Sequence, residues 1–399
     1  MSPGGAWEQD EHNGGLVGEC SFMQLIYFSP VSASSYAQRP HFTVQAWLEL
    51  GVDSVLWINP YPCRLPRFDD FKRLRRLDAQ DTPLDARIEV LDVPALPIEP
   101  LPGGPWLNRQ LLWRGAWRKM MDFARRSKDT ILGIGRPGAL ALMALRQLPH
   151  KASFYDAMDN FPQFHRGLSR RSMRYYEDSV AADVDLVLVS STNLAGKFTK
   201  RGLNVKKVLN AYPMATLPPW KPTTKSDVVL GFLGCFGKWF DWPLIARLAE
   251  SLPRARLEFV GPRHVPPPRR LPSNIHFFPP CKQNDAWKYL TRFSAGLIPF
   301  QNNALTFAFD PIKYYEYRAA GLPVLSTSFG EMALRTAEDG VYFLDQTDDL
   351  SSIVGRALGH HDDETTVARF RRDHDWKEHF TDVSPFDDLL DHSVRQRAA

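Results

Sequence analysis

Short apolar runs alternate with helix-length amphipathic stretches along this chain, and the series runs through twice. In the first half, Phe22–Phe28, Ser54–Ile58, Ile88–Val93, Thr130–Ile134, Ala152–Tyr155 and Leu186–Val189 read as strands. Segments such as Phe42–Leu50 and Ala139–Leu148 read as the helices between them. The series restarts at Val228, with strands expected at Val228–Leu233, Leu257–Val260, Ile275–Phe278, Ala295–Pro299 and Val324–Ser326. Helices are expected at Leu244–Glu250, Asp285–Phe293 and Ile312–Ala320. Strands that alternate with helices need crossover connections, and crossovers produce parallel sheets covered on both faces. Between the two series lie Tyr212-Pro213 and then Pro218-Pro219-Trp220-Lys221-Pro222. Proline fixes φ and removes a backbone donor, so this stretch suits neither strand nor helix and reads as a linker.

The expected fold class is therefore α/β, with two Rossmann-like doubly wound domains facing a cleft. The 399 residues are enough for two such cores. The expected division is a disordered leader over 1–20, a first domain over 21–212, a linker over 213–226, a second domain over 227–375 and a C-terminal helical tail over 376–399. In open α/β sheets ligands bind beyond the carboxyl ends of the strands, which here is the cleft.

Composition narrows the function. Apolar residues make up 44% and charged residues 24%, ordinary values for a globular protein, and no apolar run approaches the ~20 residues that cross a bilayer. The first twenty residues have neither a basic nor a hydrophobic signal region. Cys20, Cys63, Cys235 and Cys281 lie far apart without C-x-x-C spacing, which points to reduced thiols and a cytoplasmic setting. Net charge is +4, with a basic cluster at Arg64, Arg67, Lys72, Arg73, Arg75 and Arg76. That cluster is either a solvated face or a surface for phosphate or anionic lipid. Nothing resembles a zinc finger, a helix-turn-helix or RNA-stacking aromatics, so no nucleic-acid partner is expected.

The most informative stretch is Asp310-Pro-Ile-Lys-Tyr-Tyr-Glu-Tyr-Arg-Ala-Ala-Gly-Leu-Pro-Val-Leu-Ser-Thr327. Asp310 suits an N-cap, Pro311 the first helical position and Gly321 the stop. Lys313, Glu316 and Tyr317 then share one helix face. A helix N-terminus with a lysine inside its first turn suits a diphosphate, and a carboxylate one turn on suits ribose hydroxyls. Taken alone, such a pair is more often an exposed surface ion pair.

This segment resembles the donor-binding motif of GT-B glycosyltransferases, the family 4 group and its relatives that build bacterial polysaccharides. The resemblance implies that Glu316 binds ribose, that Lys313 meets the phosphates and that Gly321 to Val324 open the next strand. Many family 4 members carry a second, sugar-contacting glutamate eight residues earlier, where this chain has Ala308. Gly231-Phe-Leu-Gly-Cys-Phe-Gly237-Lys238 is similar to the first strand and loop of the family's donor domain, and Leu257-Glu-Phe-Val-Gly-Pro262 to its next strand. The likeness covers 228–330 and, more loosely, 22–212. It implies a donor site that includes Gly234, Gly237, Lys238, Cys281, Lys282, Thr306, Lys313, Glu316 and Tyr317. It implies a UDP-linked sugar, UDP-glucuronate among the candidates, no cofactor and no metal.

In the first half, Phe154-Tyr-Asp-Ala-Met-Asp159 ends a strand with two carboxylates, a position from which a base can deprotonate an acceptor hydroxyl. The segment is similar to that holding the base in xanthan-type glucuronosyltransferases, which are inverting, and the likeness puts Asp159 on that base. A bland role for Asp159, capping the next turn, fits the same spacing. By the same likeness Arg39, Asp156 and His41 lie near the acceptor, with His41 a second candidate base or a helix cap.

Gly133-Ile-Gly135-Arg-Pro-Gly138 is a literal G-x-G-x-x-G between a strand and a helix, which keeps a nicotinamide-dependent oxidoreductase open. A sugar-nucleotide epimerase on the same fold and a two-lobed sugar-binding module are also compatible with these patterns. Between Trp106 and Arg126 a single amphipathic helix is expected, with Trp106, Trp113, Trp117, Met120 and Phe123 on one side and Arg114, Arg118, Lys119 and Arg125 on the other. Such a helix either packs on its own sheet or lies in a membrane interface. The expected partners are a nucleotide sugar, a saccharide or lipid-linked acceptor and peripheral membrane contact through 106–126, on the inner face of the cytoplasmic membrane.

Overall fold

The computed structural model describes residues 22–35, 37–66, 84–214, 217–220, 227–263, 265–281, 283–381 and 383. The leader over 1–20, Lys282, the tail from 384 onward and most of the basic cluster, from Arg67 to Arg76, lie outside these residues.

Two parallel sheets form the frame. The first comprises β1 (Met23–Phe28), β2 (Ser54–Ile58), β3 (Ile88–Leu91), β4 (Asp129–Ile134), β5 (Ala152–Ala157), β6 (Leu186–Val189) and β7 (Val205–Lys207), in the order β3-β2-β1-β4-β5-β6-β7. The second comprises β8 (Val229–Leu233), β9 (Arg256–Val260), β10 (Ile275–Phe278), β11 (Ala295–Ile298), β12 (Val324–Ser326) and β13 (Val341–Phe343), in the order β10-β9-β8-β11-β12-β13. Strand order reverses between β1 and β4 and again between β8 and β11, which opens a crevice at each reversal.

The central strands read as continuous apolar runs because both faces are covered. All six residues of β1 and all five of β8 are buried. One face of the first sheet packs Phe28, Trp113, Met120 and Leu140; the other packs Tyr27, Trp47, Trp57 and Phe154. Trp376 and Phe380, on the helix Trp376–Phe380, belong to that second cluster. Phe42 stacks on Trp376 at 5.7 Å and Trp47 meets Phe380 at 5.9 Å. The chain thus returns from the second domain to close the first, and each of these buried rings stabilises it by about 1.5–3 kcal/mol.

The stretch after Trp106 differs from the single helix expected. It is broken into Gly104–Leu111 and Arg114–Ala124, with Trp113 at the join. Trp113, Met120 and Phe123 are 0–1% exposed and face the sheet, whereas Trp106 and Leu111 are each 63% exposed. The apolar face of this segment is core, and only its first turns present large apolar groups outward.

Candidate active site

Of the residues expected to bind a donor, Gly234, Cys281, Lys313 and Glu316 gather at the carboxyl ends of β8 and β10. The helix Ile312–Ala319 starts where its apolar pattern predicts, but Pro311 takes the N-cap place and no side chain caps it. Asp310 is not the cap. Its carboxylate accepts from the Asn210 N–H at 2.7 Å and the Tyr315 hydroxyl at 2.8 Å, and it pairs with Arg335 at 2.8 Å. Asp310 therefore does not compete for the first N–H groups of the helix, which keep their partial positive charge.

One turn in, Lys313 Nζ donates to Glu316 Oε2 at 2.6 Å, and Glu316 Oε1 accepts from the Tyr212 hydroxyl at 3.2 Å. Gly234, at φ +147°, follows β8 beneath this pair, and a Cβ on it would come 2.9 Å from Lys313 Cε. The positive φ is what calls for glycine there, and the absent Cβ also leaves room for the lysine stem to cross the strand end. Cys281, just past β10, is half-buried and feels the charges of both Glu316 and Lys313, while burial raises its thiol pKa. Gly237 packs against the Trp239 ring, and Lys238 is exposed at the loop tip.

Two expected donor-side residues face elsewhere. Tyr317 is fully buried beneath Gly296, and its hydroxyl accepts from the Leu233 N–H at 3.0 Å. It holds the end of β8 in place rather than facing the cleft. Thr306 is also fully buried, donating to the Gln301 carbonyl and accepting from the Asn303 N–H at 3.1 Å. It fastens the loop after β11. Ala308, in the same loop, is 1% exposed and packs into the core of the first domain, so a longer acidic side chain has no room there.

The expected base, Asp159, lies two residues beyond β5, and its carbonyl accepts from the Phe161 N–H at 3.0 Å, opening the turn whose last residue, Phe164, stacks on Phe309 at 6.4 Å. Among the described residues no hydrogen-bond donor reaches its carboxylate. Its pKa is raised to about 7, chiefly by burial, which Arg39 offsets and Asp156 reinforces. Such a group ionises where a general base must.

Arg39 and Asp156 are spent on each other. The guanidinium lies 2.9 Å from Asp156 Oδ1, both side chains are at most 1% exposed, and Tyr27 donates to the other carboxylate oxygen at 3.3 Å. Neither side chain is open to an acceptor, so both act from beneath the cleft floor. His41 is a cap: its Nδ1 accepts from the Gln38 N–H at 3.3 Å and its Nε2 sits 3.3 Å from the Ala33 carbonyl. Burial lowers its pKa, so the ring is neutral with both nitrogens engaged, which removes it as a base.

The glycines of Gly133 to Gly138 are explained by packing. A Cβ on Gly133 would strike the Phe154 and Tyr27 rings at 2.6 and 2.8 Å, and one on Gly138 would strike the Tyr61 hydroxyl at 2.6 Å. The N-terminus of the following helix, Ala139–Gln147, is already filled, because Tyr61 accepts from the Leu140 N–H at 3.2 Å and Glu99 from that of Ala139. A dinucleotide pyrophosphate would need that place. Among the described residues no group of three or more His, Cys, Asp or Glu side chains is placed to hold a metal ion.

Comparison with solved structures shows which fold this arrangement belongs to. A sucrose-phosphate synthase from Thermosynechococcus elongatus matches 94% of this chain and 98% of its own, with a TM-score of 0.57 at 11% identity. The lipopolysaccharide outer core galactosyltransferase WaaB matches 94% and 100%, also at 0.57, with 10% identity. The fold is GT-B. In sequence, a Bacillus subtilis (strain 168) protein bearing the name of a teichuronic acid biosynthesis glycosyltransferase, TuaH, is 25% identical over 181 residues, which is 42% of this chain. The match spans 45% of that protein's length. No family model matches the chain. The resemblance to GT-B glycosyltransferases of bacterial polysaccharide synthesis, read from residues 228–330, is thus met again in both the overall fold and a curated relative.

Some residues of the GT-B cleft escaped the sequence reading. Asn210 and Glu331 join the two domains, Asn210 through Asp310 and Glu331 by accepting from the Thr192 N–H at 2.8 Å and its hydroxyl at 3.0 Å, while Arg335 braces Asp310 from within the second domain. The Glu331 carboxylate tops the N-terminus of the helix Thr192–Thr199 from the other domain. No local pattern marks such pairs, since the partners lie far apart in the sequence. Glu99 is the other omission, a 3% exposed carboxyl pushed up to about 7 by burial.

Proposed function

We propose that this chain is a glycosyltransferase of bacterial polysaccharide synthesis that transfers a sugar from a UDP-linked donor, UDP-glucuronate among the candidates, to a saccharide or lipid-linked acceptor with inversion. The observation that carries this reading is the pairing of two half-sites. A hydrogen-bond-free carboxylate with a pKa near 7 lies at the carboxyl end of β5, and the Lys313–Glu316 helix lies at the carboxyl end of the other sheet.

In this reading Asp159 takes the proton of the acceptor hydroxyl as its oxygen attacks the anomeric carbon. The bond from that carbon to the diphosphate oxygen breaks, and the electron pair leaves with UDP. Lys313 and the uncapped N–H groups of its helix stabilise the departing charge. Glu316 releases Lys313 and accepts from the ribose hydroxyls. Ala308 supports inversion, because it stands where many family 4 members carry a sugar-contacting acid and is itself packed into the core. The occupied helix at Ala139 weighs against a nicotinamide enzyme. An epimerase would leave Asp159 without an acceptor to deprotonate.

Membrane contact is part of the proposal. No helix among the described residues is long and apolar enough to cross a membrane. Trp106, Arg109, Leu111, Arg114 and Arg118 are each exposed along this stretch, an apolar and basic composition suited to an anionic bilayer on the cytoplasmic side.

A thermal-shift panel of nucleotides and nucleotide sugars tests the donor assignment. UDP at 100 times its Kd should add about 2.7 kcal/mol of stability, and indifference to every UDP compound would remove the reading. Once a product is in hand, its anomeric proton coupling reports inversion or retention.

A further inference from the structure

The chain leaves the first sheet through Val208–Asn210, immediately after β7. Asn210 is 7% exposed, and three of its polar groups are taken. Its side-chain oxygen accepts from Arg39 Nη1 at 2.9 Å. Its backbone N–H donates to Asp310 Oδ2 at 2.7 Å, and its side-chain amide donates to the Asp310 carbonyl. Arg39 is fixed from its far side by Asp156, and Asp310 by Arg335 and Tyr315.

A continuous buried chain therefore runs Tyr27–Asp156–Arg39–Asn210–Asp310–Arg335. One end lies under the strand that presents Asp159, three residues after Asp156. Toward the other end, Asp310 lies two residues before Ile312, where the helix bearing Lys313 and Glu316 begins. Within this chain Asn210 is the link between the two halves. Buried charges in such a network have few other partners to choose, so its geometry is sharply specified.

We propose that Asn210 is a positioning residue that holds the donor helix in register with Asp159, gripping Arg39 on the acceptor side and Asp310 on the donor side. This rests on the reading of Asp159 as base and of the Lys313 helix as donor site. An amide suits the task because it accepts from a guanidinium and donates to a carbonyl at once, and it does so without adding charge. Leucine or alanine would leave Arg39 and Asp310 each short of a partner. Aspartate would accept from Arg39 but repel Asp310.

The consequence for Asp159 is specific. Arg39 lowers its pKa from the range that burial alone would impose. Loosening Arg39 lets that pKa climb, and the acid limb of the rate profile moves to higher pH. A residue that merely stiffened the domain junction would lower the rate equally at every pH.

The test uses the full-length chain with UDP binding followed by calorimetry. Turnover is followed as UDP released from whichever of UDP-glucose, UDP-galactose, UDP-N-acetylglucosamine and UDP-glucuronate the wild type consumes. In Asn210→Ala, UDP affinity should stay within about threefold while kcat falls about 10- to 100-fold, the scale of a misregister near 1 Å. The acid limb should shift upward. Asn210→Ser, which keeps one hydroxyl to bridge the gap and guards against a misfolded alanine variant, should fall between the two in both readouts. Loss of rate without movement of the limb, or a proportional loss of UDP affinity, would overturn the assignment of Asn210 alone. A wild type that neither binds UDP nor releases it from these donors would overturn the functional reading and this inference with it.

Discussion

Lys313 and Glu316 are bonded to each other across one helical turn, 2.6 Å apart, with the glutamate 4% and the lysine 27% exposed. The two side chains expected to hold opposite ends of a UDP diphosphate-ribose unit thus satisfy one another without it. In the proposed function, ligand entry would exchange this pair for two new contacts, phosphate to lysine and ribose to glutamate. In that exchange the lysine would keep a charged partner, and the glutamate would keep hydrogen-bond donors in the ribose hydroxyls and the Tyr212 hydroxyl, so neither half-buried group would be left unsatisfied.

Glu316→Ala removes the ribose contacts and frees the lysine together. UDP binding should weaken by about 1–3 kcal/mol, while inorganic pyrophosphate should bind no worse than to the wild type. Calorimetry with both ligands checks this. Equal losses for the two would place Glu316 on the phosphates instead.

Lys313→Met keeps the aliphatic stem that crosses Gly234 and deletes the charge. Binding of UDP should suffer far more than binding of uridine, which has no phosphate to lose. A matched loss for both ligands would make the lysine a packing residue.

Trp106 and Leu111 differ sharply from Trp113 despite their nearness in sequence. Changing Trp106 and Leu111 together to Ser should abolish binding to vesicles containing an anionic phospholipid and leave the melting temperature nearly unchanged, since surface changes cost little. Trp113→Ser should do the reverse, losing about 3–5 kcal/mol of stability, because its ring fills the core. Liposome sedimentation and thermal unfolding together separate the two.

Asp159 and Glu99 both have pKa values raised to about 7, and burial is the first cause for each. A raised carboxyl pKa favours the fold at low pH, and that contribution is lost as pH climbs from the ordinary carboxyl range to the raised value. Asp159→Asn and Glu99→Gln should therefore each raise stability at pH 8, on the order of 1–3 kcal/mol, and change it little at about pH 3.5. The rate profile separates them. Its acid limb near neutral pH should survive Glu99→Gln, whose side chain is buried behind the helix at Ala139. It should vanish with Asp159→Asn.

Much of this site was legible in the chain because local chemistry marks it. The Asp310 to Thr327 stretch announces a helix end with lysine and glutamate on one face, and the carboxylates of Asp156 and Asp159 close an apolar strand. Those signals depend only on spacing. Edge strands β7 and β13 were not legible, since Val205-Lys-Lys and Val341-Tyr-Phe are too short to show a period. Direction was the larger gap. Tyr317 shares a helix face with Lys313, yet a ring that size under Gly296 points into the sheet, and sequence does not reveal which neighbour leaves room. Arg39 and Asp156 looked like cleft groups because charged residues are seldom buried. Each is buried because the other is, across 117 residues of chain. The glycines of Gly133 to Gly138 matched a nucleotide fingerprint whose cause here is the passage of Tyr27, Phe154 and Tyr61 close to the backbone.

Turnover by Asp159→Asn tests the central claim most directly. The substitution keeps the side chain's shape and removes only its ability to take a proton. The account predicts UDP affinity close to the wild type and a kcat lowered by about 10²–10⁴-fold, the usual range for a general base. An Asp159→Asn enzyme that binds UDP and turns over at nearly the wild-type rate would contradict it.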